Sequence, residues 1–348
     1  MATTIQDIAR VAKVSRSAVS VSLGSHNGRS GTRVSESTRL RIKEIAQNLG
    51  YQPNVMAKGL AGGRTSTIGI LWSLSGPHPS VEMAHNISLK SHRHGYVTQL
   101  VNHMSDQAVT IKSLREFKRR GVDGVVIQDI NCVLEKPEIV DLLNEFPAAL
   151  VVGSSVWKAP VDLIHHDRLA ACKEVADHFA AAGRRRPVIM GSSMANNEKV
   201  RAFMERASMN SMSVGPDSLI EVQYLSHNQT VKACQWTLKE RYGKDKAIDF
   251  DALFCMSDEG AMASIDWLRK RGVRVPQDVA VIGFNDNEID DCMDPPLASV
   301  ERNDDQVADV IDEILFTRLI HPELPPQRRY VSMRFVWRES AGRRRDTG

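Results

Sequence analysis

The sequence predicts an α/β protein in which a small all-α, helix-turn-helix head precedes a larger body of doubly wound parallel sheets. Three observations predict it. Basic charge is concentrated at the N-terminal end of the chain. Within the first 50 residues, hydroxyl side chains stand just ahead of three stretches of helical periodicity. From Thr67 onward, short apolar runs alternate with helical stretches that stop at glycine, the pattern of strand–helix–strand units.

The head comes first. Thr4 can cap a helix whose apolar positions Ile5, Ile8, Ala9 and Ala12 follow helical spacing. Lys13 and Val14 make a short break, and Ser15 can cap a second helix through Leu23, with Ala18, Val19 and Leu23 as its buried stripe. Ser35 caps a third helix to Leu49, with Ile42, Ile45, Ala46 and Leu49 as its core face and Gly50 as its stop. Two short helices joined by so tight a turn form the bihelix whose second helix enters the DNA major groove. Arg16, Ser17, Ser20 and Val21 then point outward. Arg16 can donate to guanine edges and Ser17 can pair with several bases, whereas Val21 can only pack on apolar groups such as a thymine methyl. Charge agrees with a polyanionic partner. Residues 1–64 hold ten basic side chains against three acidic ones, a net +7, which leaves −4 for the rest of a chain whose formal net charge is +3. Charge alone fits a solvated basic surface equally well.

In the body, TIGIL, VTQLV, GVVIQ, AALVV, LIH, PVIM, ALFCM and VAVIGF read as strands. Residues 82–94, 106–120, 168–182, 228–242 and 258–271 read as helices, ended by Gly95, Gly121, Gly183, Gly243 and Gly272. Ligands of such sheets sit outside the carboxyl ends of the strands. The residues found there are polar: Ser73, Gln128, Asp167, Ser257 with Asp258, and Asn285 with Asp286. A ring of hydrogen-bonding side chains suits a polyhydroxylated or heterocyclic ligand, although any one of them also fits a solvated loop.

Composition narrows the class. At 348 residues, 42% hydrophobic and 25% charged, the chain has an ordinary globular balance and length for two or three domains. No apolar run approaches the roughly 20 residues of a membrane span, and MATTIQDIAR has neither the basic nor the apolar region of a secretory signal. A cytoplasmic location and no membrane partner are the expectation. Cys132, Cys172, Cys234, Cys255 and Cys292 are scattered and fit reduced thiols. No metal and no cofactor are expected. The run His165-His166-Asp167 alternates across a strand and reads as structural or ligand-contacting rather than metal-binding. The acids Asp286, Glu288, Asp290, Asp291 and Asp294 lack calcium-loop spacing and read as a solvated loop. Dinucleotide, phosphate-loop and nucleophile-elbow motifs are missing from the sequence, so an enzyme is not expected.

The runs TIQDIARVAKVSRSAVS, RVSESTRLRIKEIAQNLGYQPN, AKGLAGGRTSTIGI and RVPQDVAVIGFNDNEIDDCMDPPLASV resemble the LacI/GalR family of transcription regulators, and the resemblance extends over nearly the whole chain. It implies a two-lobed, periplasmic-binding-protein-like body on a helix-turn-helix head. The implied domains are a head at 1–51, a hinge helix and linker at 52–65, an effector-binding and dimerisation body at 66–340 and a basic tail at 341–348. Lobe 1 would span 66–166 and 293–327, and lobe 2 would span 167–292 and 328–340, with crossovers near His166, Cys292 and Arg328.

The resemblance implies DNA contacts at Thr4, Ser15, Arg16, Ser17, Ser20 and Val21, and hinge contacts at Asn54, Ala57 and Leu60. Leu60 is the minor-groove wedge of a helix that forms only on DNA. The physics agrees: the segment is shorter than the roughly 12 residues an isolated helix needs, and Gly59 costs about 1 kcal/mol relative to alanine. Effector contacts are implied at Ser73, Gln128, Asp167, Lys199, Ser257, Asn285 and Arg302. Several positions depart from the family pattern. Val21 stands where arginine is usual, Gly24 where asparagine is usual, and the 24–33 loop is longer by roughly five residues, with Arg29 and Arg33 in it. In the pocket Lys199 replaces arginine, Asn285 aspartate and Arg302 glutamine, a gain of positive character that points to an acidic effector such as a uronate or phosphorylated sugar.

The expected function is a sequence-specific regulator, a repressor, binding a pseudo-palindromic operator as a homodimer under effector control. The tail lacks the leucine heptads of family tetramers. The alternatives are a corepressor-dependent repressor, an activator, or a sugar-binding receptor with the same body fold.

Overall fold

The computed structural model describes residues 3–23, 34–51, 64–74, 81–104, 106–129, 135–153, 159–192, 197–222, 230–243 and 247–342. The head is three helices: α1 (Ile5–Ala12), α2 (Arg16–Ser22) and α3 (Glu36–Asn48). Ser35 caps α3 through its Oγ, which accepts from the Thr38 N–H at 3.2 Å. Ile8, Val19 and Ile42 are completely buried and close one small core among the three helices.

The first lobe is a six-stranded parallel sheet in the order β11-β5-β4-β3-β1-β2. Its strands are β1 (Thr67–Trp72), β2 (Val97–Asn102), β3 (Gly124–Asp129), β4 (Ala148–Gly153), β5 (Asp162–Asp167) and β11 (Arg328–Ser332). The period of two sends Ile68, Ile70 and Trp72 of β1 to one face and Leu71 to the other. One face packs on α4 (Val81–Arg93) and α11 (Asp304–Ile320), the other on α5 (Gln107–Arg119) and α6 (Pro137–Asn144). The central strands are covered on both sides, which is why their sequences read as unbroken apolar runs.

The second lobe repeats the plan. Strands β6 (Pro187–Gly191), β7 (Leu219–Glu221), β8 (Ala252–Cys255) and β9 (Ala280–Ile282) form a parallel sheet in the order β7-β6-β8-β9. Helices α7 (Leu169–Ala181) and α8 (Glu198–Met209) cover one face, α9 (Thr230–Tyr242) and α10 (Asp258–Lys270) the other. Beyond β9 lies the antiparallel pair β10 (Ser299–Glu301) and β12 (Arg334–Val336). All six glycines read as helix stops, Gly50 of the head included, have positive φ, a backbone state that glycine adopts without a Cβ penalty.

The chain passes between the lobes three times. The first passage, after Asp167, falls one residue from the expected one. The other two are corrected by the structure. Leu297, Ala298 and Val300 pack into the cores of the second lobe, and Ala298 bridges Ile282, so the second passage comes at Arg302–Asn303 rather than near Cys292. Residues 328–332 pair with β5 in the first sheet, so the third comes at Met333 rather than near Arg328. A buried ion pair secures that return: the Arg318 guanidinium donates twice to the Asp162 carboxylate at 2.8 Å, and the Gln327 N–H adds a bond of 2.7 Å. The sequence reading also passed over α6, α8 and α11. Of these, α11 packs Val307, Ala308, Ile311, Ile314, Leu315 and Leu319 on the sheet and α4 and turns Asp305, Asp309 and Glu313 to solvent.

Candidate DNA-reading head and effector cleft

Local chemistry builds the head. Thr4 Oγ1 accepts from the Asp7 N–H at 3.3 Å while the Asp7 carboxylate accepts from the Thr4 N–H at 3.0 Å, a capping box that starts α1. Lys13, at φ 50, ends α1 in the left-handed region. Ser15 Oγ accepts from the Ala18 N–H at 3.2 Å and starts α2. Arg41 on α3 donates to the Ala12 carbonyl at 3.1 Å and clamps the third helix against the turn. Ser15, Arg16 and Ser17 are exposed at the first turn of α2, with Ser20 and Val21 half-buried one turn later. That spacing puts Arg16, Ser17, Ser20 and Val21 on one helical face. Asn54, Ala57 and Leu60 of the hinge lie outside the described residues, as do Arg29 and Arg33. The chain just ahead of β1 is anchored to the first lobe. Arg64 donates to the Leu319 carbonyl at 2.6 Å, and the Thr65 and Thr67 N–H groups both donate to the buried Asp123 carboxylate at 3.2 Å.

In the body, the strand ends bring several expected residues together. The Ser73 N–H donates to Gln128 Oε1 at 3.1 Å, locking the ends of β1 and β3 side by side. Next to them His103 is completely buried, and burial pushes its imidazole down to about 4, so the ring is neutral at physiological pH. Asp167 ends β5, half-buried, with its carbonyl accepting from the Met333 N–H at 3.2 Å. Lys199 sits in the first turn of α8 with its Nζ 4.1 Å from the centre of the Phe284 ring. Burial, reinforced by the Arg168 charge, pushes this ammonium down to about 7. Asn285 takes a φ of 124, and its N–H donates to the Val300 carbonyl at 2.8 Å.

Three expectations change. Ser257 is fully buried, and its Oγ accepts from the Gly260 N–H at 3.1 Å, so its hydroxyl caps α10 instead of lining a cleft. Arg302 and Asn285 do share a cleft of about 240 Å³, but Glu82, Asp286, Glu288, Glu301, Asp304 and Asp305 line it with them, and Arg302 is held by Asp304 at 2.9 Å. Positive character is therefore not gained at that end. The acidic loop is not simply solvated either. Asp290 is completely buried, and Asp286 is paired with Arg338 at 2.6 Å. Burial, followed by the neighbouring Asp258 and Asp286 charges, drives the Asp290 carboxyl well above the ordinary range. Asp258, also buried, accepts from Ser299 Oγ at 2.5 Å and from the Asn287 N–H at 3.2 Å.

One residue near the strand ends was missed, and one read as structural or ligand-contacting lies beside it. Arg168, directly after β5, is half-buried, and its charge is felt by both Lys199 and His166. His166 is pushed down to about 3 by burial first, then by Arg302 and Arg168. The strand-end rule that selected Asp167 reaches Arg168 one residue further on.

Known proteins share both parts. The family described as bacterial regulatory proteins, lacI family, matches residues 4–54, and the periplasmic binding protein-like domain matches residues 176–341. The HTH-type transcriptional regulator RegA of Clostridium saccharobutylicum is 28% identical over 346 residues, covering 98% of this chain and 99% of its own. Catabolite control protein A of Staphylococcus aureus (strain MRSA252) is 27% identical over 306 residues, 86% of this chain and 87% of the relative. Among solved structures, the lac repressor dimer bound to operator and the anti-inducer ONPF superposes with a TM-score of 0.82 at 18% identity, covering 98% of this chain and 99% of that one. The transcriptional regulator CelR–cellobiose complex gives 0.66 at 22% identity, covering 97% and 99%. With the helix-turn-helix head and the two-lobed body both matched, the chain belongs to the LacI family of DNA-binding transcription regulators, whose body is an effector-binding domain.

Proposed function

We propose that this chain is a cytoplasmic repressor that binds a pseudo-palindromic operator as a homodimer and is switched by a small hydroxyl-rich effector held between its lobes. The observation that carries the reading is the exposed Ser15–Arg16–Ser17 tip on a packed three-helix head, joined in one chain to polar side chains at the strand ends of both lobes. Thr4, Ser15, Arg16, Ser17, Ser20 and Val21 face the major groove, while Asn54, Ala57 and Leu60 take the centre of the site. Ser73, Gln128, Asp167, Lys199, Asn285 and Arg302 take the effector, and the domains follow the head, hinge, body and tail boundaries read from the sequence.

The homodimer has its own support. β2 is an edge strand, with Val97 and Leu100 60% and 44% exposed along it and Met104 56% exposed just beyond its end. An apolar edge of this kind is a pairing surface, and the solved lac repressor is by name a dimer on operator. The effector class is supported by the regulator that was solved with cellobiose.

Selection of random duplex DNA by the purified protein tests the reading, at fixed salt near physiological strength because counterion release otherwise dominates affinity. A palindrome with a flexible central step is expected. Enrichment only in the presence of pooled sugars, uronates and sugar phosphates would make the protein corepressor-dependent. No enrichment under either condition would refute operator binding.

A further inference from the structure

The loop that follows β9 lines the cleft with Asn285, Asp286, Asn287 and Glu288, and two buried carboxyls anchor it at Asn287. Asp258, in the first turn of α10, and Asp290, in the loop itself, are both completely buried, and neither lines the cleft. They converge on one donor: the Asn287 N–H lies 3.2 Å from Asp258 Oδ2 and 3.0 Å from Asp290 Oδ2. Ser299 Oγ, on β10, donates to the other Asp258 oxygen at 2.5 Å, whereas Asp290 Oδ1 has no hydrogen-bond partner. Among the described residues no cation forms an ion pair with either carboxyl. Arg338, just beyond β12, pairs instead with Asp286 at 2.6 Å and with Asp291 at 2.5 Å. A side chain on Gly283 would collide with the Asp258 carboxylate, so the pair is packed against backbone on that side.

Two carboxylates that share one N–H in a buried site repel each other strongly if both are ionised. We propose that Asp258 and Asp290 hold a single proton between them in the folded protein, and that losing it releases the 285–292 loop from its place along the cleft as pH rises. The proton supplies the second donor that the site lacks. Burial comes first in raising both carboxyls above the ordinary range. The Glu259 and Asp286 charges add to it at Asp258, and the Asp258 and Asp286 charges at Asp290, with Ser299, Asn287 and Arg338 opposing. A proton held more firmly in the closed loop than in the open one favours closure at low pH, and that preference is lost as pH climbs through the folded value. The consequence for regulation rests on the cleft being the effector site: a ligand that touches Asn285 would bind more tightly at about pH 6 than at about pH 8.

Amide hydrogen exchange over 285–292 in the full-length protein, corrected for the intrinsic chemical rate, tests the device without a ligand. Protection there should fall roughly tenfold per pH unit between about pH 6 and about pH 8, while protection in the first sheet stays level. Asp290→Asn and Asp258→Asn should each remove the pH dependence. The wild type should also show an infrared carboxyl C=O band at about pH 6 that either substitution removes, since exposed carboxyls have ionised by then. Level protection in the wild type across this range, or a pH dependence that survives both substitutions, overturns the proposal. Cellobiose, used as a probe of the cleft, separates the effector reading from it. A cellobiose-induced rise in thermal midpoint that is larger at about pH 6 than at about pH 8, and is levelled by Asp290→Asn, extends the device to ligand binding. An equal rise at both pH values refutes that extension. No rise at either pH discards a cellobiose-like effector, and the exchange result still decides the loop.

Discussion

Asp290 shows how a single side chain escapes a sequence reading. Five acids in nine residues look like solvated surface, yet this one is completely buried, with the Asn287 N–H on Oδ2 at 3.0 Å and no hydrogen-bond partner on Oδ1. Its carboxyl therefore keeps a proton far above the usual range, chiefly because of burial and then the Asp258 charge. A carboxyl whose folded pKa is raised contributes stability that is fully present below its unfolded pKa and is lost as pH rises through the folded one. The wild-type thermal midpoint should thus fall between about pH 5 and about pH 8, and Asp290→Asn should flatten that fall and stabilise the protein at the alkaline end. A variant with an unchanged pH profile would place the titration elsewhere. At the head, Arg16→Ala should relax preference at one base pair per half-site by about tenfold to a hundredfold, read by competition between operator variants. An equal loss on every sequence would make Arg16 a phosphate contact.

Elements were legible where one face or one cap decides them. The caps Thr4, Ser15 and Ser35 and the stops at Gly95, Gly121, Gly183, Gly243 and Gly272 all act locally and appear in the structure as read. The short strands β7, β10 and β12, three residues each, carry too little pattern to be seen in advance. Strand β11 is polar outward, and only its register with β5 defines it. The edge strand β2 had been recognised as a strand, but nothing in VTQLV reveals that it lies at the edge of the sheet. That position leads to a prediction: Leu100→Lys, alone or with Val97→Lys, should convert the proposed dimer to monomer in sedimentation without loss of helix content. Operator affinity should fall with it, since one head alone reaches a single half-site. A variant that stays dimeric would move the interface to another face.

At the scale of the molecule, the proposed switching depends on three chain passages, after Asp167, at Arg302–Asn303 and at Met333, of which the second lines the cleft. Two of the proposed effector contacts, Asp167 and Arg302, stand at these passages, so closing the lobes on a ligand would shift segments that set their angle. Coupling to DNA then requires different ligand affinity in the DNA-competent and DNA-incompetent states. The other end of that coupling is the linker, tied to the first lobe by Arg64 and by Thr65 and Thr67 on Asp123. Leu60→Ala should weaken specific binding and abolish DNA bending, as measured by gel phasing or energy transfer, while leaving non-specific binding nearly intact. Bending that persists in the variant would remove the leucine wedge from the account.

By itself, the sequence determined the class of machine. Caps, glycine stops, two hydrophobic periods and a basic head are each written within a few residues of where they act, and so the helical head, the doubly wound body and the DNA partner could be read directly. It also singled out Ser73, Gln128, Asp167 and Lys199 by their places at strand ends or in the family pattern. Tertiary structure alone decided the rest: that Ser257 is consumed as a cap, that Asp304 answers Arg302, that Asp290 is buried and that Lys199 rests on the Phe284 ring. The physical reason is common to all four. Burial and charge pairing depend on groups brought together from distant parts of the chain, and their energies are set by separation in space rather than by order along the backbone.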